Sequence, residues 1–145
     1  MAQTLAEVIL LIETKLKALH NGTAPIFGDV FKYAQGDFHN YPVAVITEAG
    51  GKGQVIDSHR NQRTYNFTIK LYQEQSRAGK TKQEASVIMR EAADAILTAF
   101  DQDKDLGGEV DIVRVVEFDT DFRVTAGTFN FANFKVDAVV LVHSY

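Results

Sequence analysis

The sequence predicts an α+β fold, in which two amphipathic helices pack on one face of a mostly antiparallel sheet. Two segments have apolar residues at three- and four-residue steps, which is typical of helices with one buried face. Other segments alternate apolar and polar residues, which is typical of strands with one face in water. The order is helix, strands, helix, strands. With 145 residues, 46% of them hydrophobic, the chain suits a single domain, residues 1–145.

The first predicted element is an amphipathic helix from Thr4 to His20. Thr4 and Glu7 have the spacing of a capping box, which satisfies backbone N–H groups at a helix N-terminus. Asn21-Gly22 directly after the segment predicts the C-cap, since these residues adopt the left-handed conformation most easily. The buried face consists of apolar residues at helical spacing, namely Leu5, Val8, Ile9, Ile12, Leu16 and Leu19.

Two short strands are predicted next, within IFGDVFKYA at 26–34 and YPVAVITE at 41–48. Pro42 stands at the start of the second, where a strand tolerates a residue without an N–H group. The segment AGGKGQVIDSHRNQ, residues 49–62, is polar and rich in glycine. It separates the second strand from the clearest strand of the chain, RTYNFTIKLYQE at 63–74, in which apolar and polar residues alternate.

The second predicted helix extends from Thr81 to Phe100, and Thr81 with Glu84 gives it a capping box as well. Two more strands are predicted at 109–118 and 129–145, the second of them long. The apolar face of the helix is formed by Ala85, Ile88, Met89, Ala92, Ile96 and Phe100, and that of the last strand by Phe134, Val136, Ala138, Val140 and Val142.

Three carboxylates at a spacing of two, Asp101, Asp103 and Asp105, follow the second helix and suggest a calcium loop. An EF-hand loop needs glycine at its sixth position and glutamate at its twelfth, where this chain has Leu106 and Ile112. The sequence therefore does not support a calcium loop of this type. Carboxylates at a helix C-terminus also oppose the helix dipole, each at a cost of about 0.3–1 kcal/mol. Two interpretations stay open: a solvated loop, or a surface that faces a partner or an electronegative channel.

A second partial motif is Gly79-Lys80-Thr81, which opens a helix after a strand as the end of a phosphate-binding loop does. The full pattern requires glycine at position 74, where Glu74 stands. A carboxylate opposes phosphate binding, so a turn at Gly79 and an N-cap at Thr81 explain the segment.

No residue pattern predicts catalysis. The histidines, His20, His39, His59 and His143, show no i, i+4 pair of the kind that binds a metal on a helix. No serine lies in a G-x-S-x-G elbow, and the absence of cysteine excludes disulfides and thiolate chemistry. We therefore expect a protein that is not an enzyme and that uses no cofactor and no metal.

Charge and hydropathy limit the possible partners. The net charge of −4, with no block of like charges, argues against a general nucleic-acid binder. No stretch approaches the roughly 20 apolar residues of a membrane span, and the start lacks the basic region of a secretory signal. We expect a protein that is made in the cytosol and binds no membrane.

The order of these elements resembles the tail terminator proteins, also called tail-completion or neck proteins, of long-tailed double-stranded DNA phages. The resemblance spans nearly the whole chain, from the amphipathic first helix to the long last strand. Its most specific pieces are RTY at 63–65, which opens the alternating strand, and LGG at 106–108, after the acidic helix end.

The resemblance implies a structural virion protein that forms a homohexameric ring on the last ring of the tail tube. Such a ring stops tube polymerisation and offers a docking surface to the head-completion or connector protein. DNA only passes through its channel. The implied location is the head–tail junction of the virion, with assembly in the host cytoplasm.

The resemblance also assigns roles to particular residues. Residues 49–62 are expected to form a flexible arm that becomes ordered on a neighbouring subunit or on the tube protein. Arg60 and Arg63 are expected either to pair with carboxylates across that interface or to be ordinary solvated arginines. The acids then decorate a ring surface or channel, where negative charge does not retain passing DNA. The expected interface residues are Gly50, Gly51, Lys52, His59, Arg60, Arg63, Asp101, Asp103 and Asp105.

Two other classes of protein stay open. A monomeric ferredoxin-like module that binds a ligand or a protein would have a pocket and would form no ring. A hydrolase would need histidines and carboxylates that cluster in space although their spacing in the sequence does not reveal it.

Overall fold

The computed structural model describes residues 4–33, 38, 40–74, 82–119, 123–125 and 128–143. Within these residues the fold is a mixed arrangement of two helices and a mostly antiparallel sheet. This architecture is compatible with the predicted α+β class.

The first helix, α1, spans Leu5–Lys17 and begins where the sequence predicts. Thr4 is its N-cap, and the Thr4 hydroxyl oxygen accepts a hydrogen bond from the backbone N–H of Glu7. The same hydroxyl donates to the Glu7 carboxylate at 2.8 Å. The second helix, α2, spans Lys82–Gln102, and its predicted cap at Thr81 lies outside the described residues.

The end of α1 differs from the prediction. The helix stops at Lys17 with Ala18 as its C-cap, so the prediction of a C-cap at Asn21-Gly22 was wrong. Two short strands follow instead, β1 at His20–Asn21 and β2 at Ala24–Pro25, which pair as a small hairpin. Gly22 has φ +66°, and the left-handed conformation that also suits a helix end serves here in a hairpin turn.

The main sheet has six strands within the described residues, in the order β3-β4-β5-β8-β6, with β7 also paired to β8. Among the strand pairs of the described residues, only β3–β4 is parallel in this sheet. The central pair is long and continuous, with a register that runs from Arg60 opposite His143 to Glu74 opposite Thr128. The strands are β3 Asp29–Phe31, β4 Val43–Val55, β5 Arg60–Glu74, β6 Ile112–Asp119, β7 Arg123–Thr125 and β8 Thr128–His143.

The buried core follows the predicted periodicity. Strands β5 and β8 bury alternate residues, because successive side chains of a strand point to opposite faces. Both helices contribute side chains to the same cluster. It includes Phe67, Ile69 and Leu71 of β5, Ala132, Phe134, Val136, Ala138 and Val140 of β8, Val8, Ile12 and Leu16 of α1, and Met89, Ile96 and Phe100 of α2.

The sequence suggested that the glycine-rich segment separates two strands. In the structure β4 and β5 both continue through it. Residues 51–55 of β4 pair with residues 61–65 of β5, and only residues 56–59 form the connecting turn. Strand β8 pairs with the other side of β5 as far as His143 opposite Arg60. We call residues 49–62 the outer hairpin. These pairings give its backbone hydrogen-bond partners that its polar composition did not predict.

Candidate functional site

Two glycines shape the start of the outer hairpin. The register between β4 and β5 shifts between Glu48 and Gly51, and Gly50 within this bulge has φ +91°. A Cβ atom at Gly51 would lie 2.4 Å from the carbonyl oxygen of Thr64, so only glycine permits the two strands to approach this closely. Gly50 and Gly51, both predicted interface residues, therefore have a structural function in the bend of the hairpin.

The end of the outer hairpin presents two aliphatic side chains to solvent. Val55 is 74% exposed and Ile56 is 45% exposed, so the two neighbouring side chains together form a small apolar surface. The turn closes through the N–H groups of Ile56 and Asp57, which donate to the carbonyl oxygen of Arg60 at 3.0 and 3.2 Å. The hairpin thus ends in an apolar tip that has a defined backbone structure.

Asp57 organises this turn through its carboxylate. One oxygen accepts the backbone N–H of His59 at 2.9 Å, and the other accepts from the Arg60 guanidinium at 2.7 Å. The hydrogen bond from Arg60 holds the pKa of Asp57 below its ordinary value. Arg60, predicted to pair across an interface, therefore has a carboxylate partner in its own turn, and His59 is an exposed turn residue.

Four of the predicted interface residues come together at the base of the outer hairpin. Gly50, Gly51, Lys52 and Arg63 line a cleft of about 400 Å³, together with Leu5 at the start of α1. The Arg63 guanidinium lies 3.4 Å from the hydroxyl oxygen of Tyr65. Among the described residues, neither Lys52 nor Arg63 forms an ion pair, so both cations are available to an acidic partner.

The three acids at the C-terminal end of α2 and directly after it have different environments. Both carboxylate oxygens of Asp103 accept hydrogen bonds. One accepts from the Lys15 ammonium group and the other accepts from the Gly107 N–H, each at 2.9 Å. The hydrogen bond from Lys15 lowers the pKa of Asp103. Asp101 and Asp105 are exposed. No group of three or more possible metal ligands occurs in the described part of the chain.

The acids and the outer hairpin lie at opposite ends of α1. Leu5, at the N-terminus of the helix, lines the cleft at the base of the hairpin, whereas Lys15, near its C-terminus, binds Asp103. Ten residues of α-helix separate these two positions by about 15 Å. The predicted interface residues therefore form two separate groups.

A groove between the C-terminal end of α1, the β1–β2 hairpin and α2 was not predicted from the sequence. It has a volume of about 780 Å³, and we call it the α2 groove. Ala92 and Ala99 are among its buried lining residues, while Glu91 and Asp94 line it with exposed carboxylates. The signal in the sequence is the row of small residues Ala92, Ala95 and Ala99 on α2, at three- and four-residue steps.

No protein-family model matches this sequence, and no curated protein matches it. Within the described residues, neither helix combines the length and the apolar composition that a membrane span requires. A functional assignment therefore depends on the order of the elements and on the geometry of these surfaces.

Proposed function

We propose that this protein is a structural protein of a phage virion that caps the tail tube as a homohexameric ring. The ring stops polymerisation of the tube and provides the surface on which the head joins the tail. The observation that carries this proposal is the outer hairpin, which extends two paired strands past the core and ends in the exposed Val55 and Ile56. The order of elements along the chain, which resembles that of tail terminators, supports it.

The edges of the sheet favour a subunit that associates with copies of itself. Strand β3 covers only residues 43–45 of β4, so the outer part of β4 is a free edge within the described fold, as is the side of β6 away from β8. Exposed strand edges are templates for pairing, and a closed ring is one way to protect them. The exposed Val116 and Phe118 on β6 add an apolar surface at that edge.

We also infer that α1 and α2 pack on the same face of the sheet. The support is that residues of both helices share one buried cluster with Ile69 of β5 and Phe134 of β8, which are opposite each other in the register and therefore point to the same face. The other face would remain available for contacts or solvent. Lys135 and Glu117 on it form an exposed ion pair at 3.2 Å.

The exposed acids fit a ring through which DNA passes. Among the described residues, Asp101 and Asp105 form no ion pair of the kind that Lys15 forms with Asp103. Negative charge on a channel or ring surface repels the phosphate backbone, so passing DNA is not retained. On this proposal the partners are other copies of the chain, the tail tube protein and a head-completion or connector protein, at the head–tail junction.

Native mass spectrometry and negative-stain imaging test the proposal. The purified protein is measured alone and with purified tail tubes. A ring of six copies, or rings seated only on tube ends, is the expected result. A protein that stays monomeric in both cases and caps no tube end contradicts the proposal and favours a monomeric binding module, for which the α2 groove would be the binding site.

A further inference from the structure

We infer that the end of the outer hairpin of one copy binds in the α2 groove of the next copy. This inference rests on the proposed ring and identifies the contact that would build it. The occupant of the groove is thus a second copy of this chain, and the residues inserted are Val55 and Ile56.

The two surfaces match in polarity. The hairpin ends in two neighbouring aliphatic side chains that are exposed to solvent. The groove has a lining of buried alanines, Ala92 and Ala99, with room for larger side chains above them. Small residues allow close approach of a partner, and burial of both surfaces removes apolar area from water. The hairpin thus offers large apolar side chains, and the groove offers space that is lined by small ones.

The two surfaces also match in charge. The α2 groove carries exposed carboxylates at Glu91 and Asp94, and its cation Lys15 is already paired with Asp103. The outer hairpin carries Lys52 and, just beyond its last residue, Arg63, with no ion-pair partner among the described residues. Opposite charges around an apolar contact fix its orientation and speed association.

The hairpin end does not occupy the groove of its own chain, because Val55 and Ile56 are exposed and neither of them lines the groove. Its base lies beside Leu5 at the N-terminus of α1, while the groove begins at Lys15, about 15 Å further along the helix. The pairing of β5 with β4 on one side and with β8 on the other holds the hairpin in its own sheet up to residue 61. The inferred contact is therefore one between copies.

A contact between two different surfaces of the same chain is head-to-tail. Each copy offers one hairpin and one groove, and the first contact that a copy makes uses one of these surfaces and leaves the other free. Such contacts produce a closed ring if the rotation between copies closes, and an open filament if it does not. The inferred contact therefore has the geometry that the proposed ring requires.

Cysteine cross-linking tests the contact directly, because the natural chain contains no cysteine. Ile56→Cys is prepared in one sample and Ala95→Cys in another. Mixing them under mild oxidation should give a disulfide-linked dimer of the two variants, which requires Cα atoms within about 7 Å. Neither variant alone should cross-link. Thr68→Cys, on the face of β5 opposite the core, is the control partner and should not cross-link to Ile56→Cys.

Charge reversal tests the same contact without a covalent bond. Glu91→Lys with Asp94→Lys should weaken assembly at least about tenfold, which corresponds to about 1.4 kcal/mol. Adding Lys52→Glu and Arg63→Glu to the same chain should restore it. The matched control is Asp111→Lys with Asp137→Lys, which changes the net charge equally at two acids that line neither the groove nor the cleft and should leave self-assembly intact.

The outcomes separate this inference from the proposed function. Rings that form with the predicted cross-link and charge rescue support both. Rings that form without the cross-link, or that tolerate reversal of Glu91 and Asp94, overturn the groove contact and leave the ring in place. A protein that never assembles, with or without tubes, overturns both.

Discussion

Asp103 has a structural function that Asp101 and Asp105 do not share. Its ion pair with Lys15 joins α1 to the loop after α2, and its second oxygen accepts from Gly107 within that loop. Asp101 and Asp105 are exposed near a helix C-terminus, where the helix dipole disfavours negative charge. Three acids with the same spacing thus have different energetic effects.

Asp103→Ala should lower the free energy of unfolding by about 1–2 kcal/mol, because it removes a partly exposed ion pair and a hydrogen bond to the backbone. Asp101→Ala is the matched control and should be neutral or stabilising by a few tenths of a kcal/mol, since it relieves the dipole. Urea unfolding of both variants at neutral pH provides the measurement. Equal losses in the two variants would contradict the assignment.

The stability that Asp103 contributes should depend on pH. Its pKa is lowered in the folded protein from an ordinary value of 3.8, chiefly by Lys15, so the folded state favours the charged form. The contribution is therefore fully present above about pH 4–5 and is lost as the pH falls through the lowered pKa. Asp103→Asn, which still accepts from Gly107, should be less stable than the natural protein at pH 7 and should approach it in stability near pH 3. Urea unfolding across this range measures the difference, and a constant gap would contradict it.

Gly107 should be sensitive to substitution although it has space around it. A Cβ atom at Gly107 would meet nothing within 4 Å, but its φ of +71° is costly for any residue with a side chain. Gly107→Ala should therefore destabilise the protein by about 1 kcal/mol. Gly53→Ala is the control, because that site is equally open and has no positive φ. Thermal unfolding of both variants measures the effect, and a loss in Gly53→Ala of the same size would point to another cause.

At the level of elements, the helices and strands that show a regular apolar periodicity were the ones that could be predicted from the sequence. The alternation in β5 and β8 and the start of α1 at Thr4 were confirmed, since these depend on local patterns and on one cap. The end of α1 was misread because the signal at Asn21-Gly22 is shared by helix ends and hairpin turns. Strand structure in residues 49–62 was missed because it depends on pairing across the hairpin, between residues 51–55 and 61–65, and on pairing of residues 60–62 with β8, far along the chain.

The candidate surfaces were predictable only in part. Lys52 and Arg63 were selected from the sequence, and the structure brings them together beside Leu5. The pairing of Lys15 with Asp103 joins residues 88 positions apart, and the α2 groove likewise combines distant segments. No local pattern reports such contacts, because they depend on how the elements pack.

A shortened hairpin should keep the fold and abolish assembly. Replacing residues 55–61 by Asn-Gly connects Gln54 to Gln62, which are already opposite each other, through a two-residue turn that suits a hairpin. We expect an unchanged circular dichroism spectrum, a melting temperature lowered by less than about 5 °C, and a monomer by native mass spectrometry.

The matched control for this variant keeps the hairpin and changes only its end. Val55→Thr with Ile56→Thr retains branched side chains that favour strands and removes the apolar tip. This protein should also be monomeric. If the shortened protein unfolds, or if the threonine variant still assembles, the hairpin is not the assembly element.

At the level of the whole molecule, the number of contacts that a copy can make determines the size of the assembly. The shortened chain keeps its α2 groove but has no hairpin end, and the chain with Glu91→Lys and Asp94→Lys keeps its hairpin end but has an unsuitable groove. Each should be monomeric alone. Their mixture should form a complex of one copy of each and nothing larger, because one functional contact remains and a head-to-tail chain cannot grow past it. Native mass spectrometry of the mixture is the measurement. A two-fold symmetric contact would instead use the same surface on both copies, so homodimers of either variant, or rings in the mixture, would show that the copies do not associate head-to-tail.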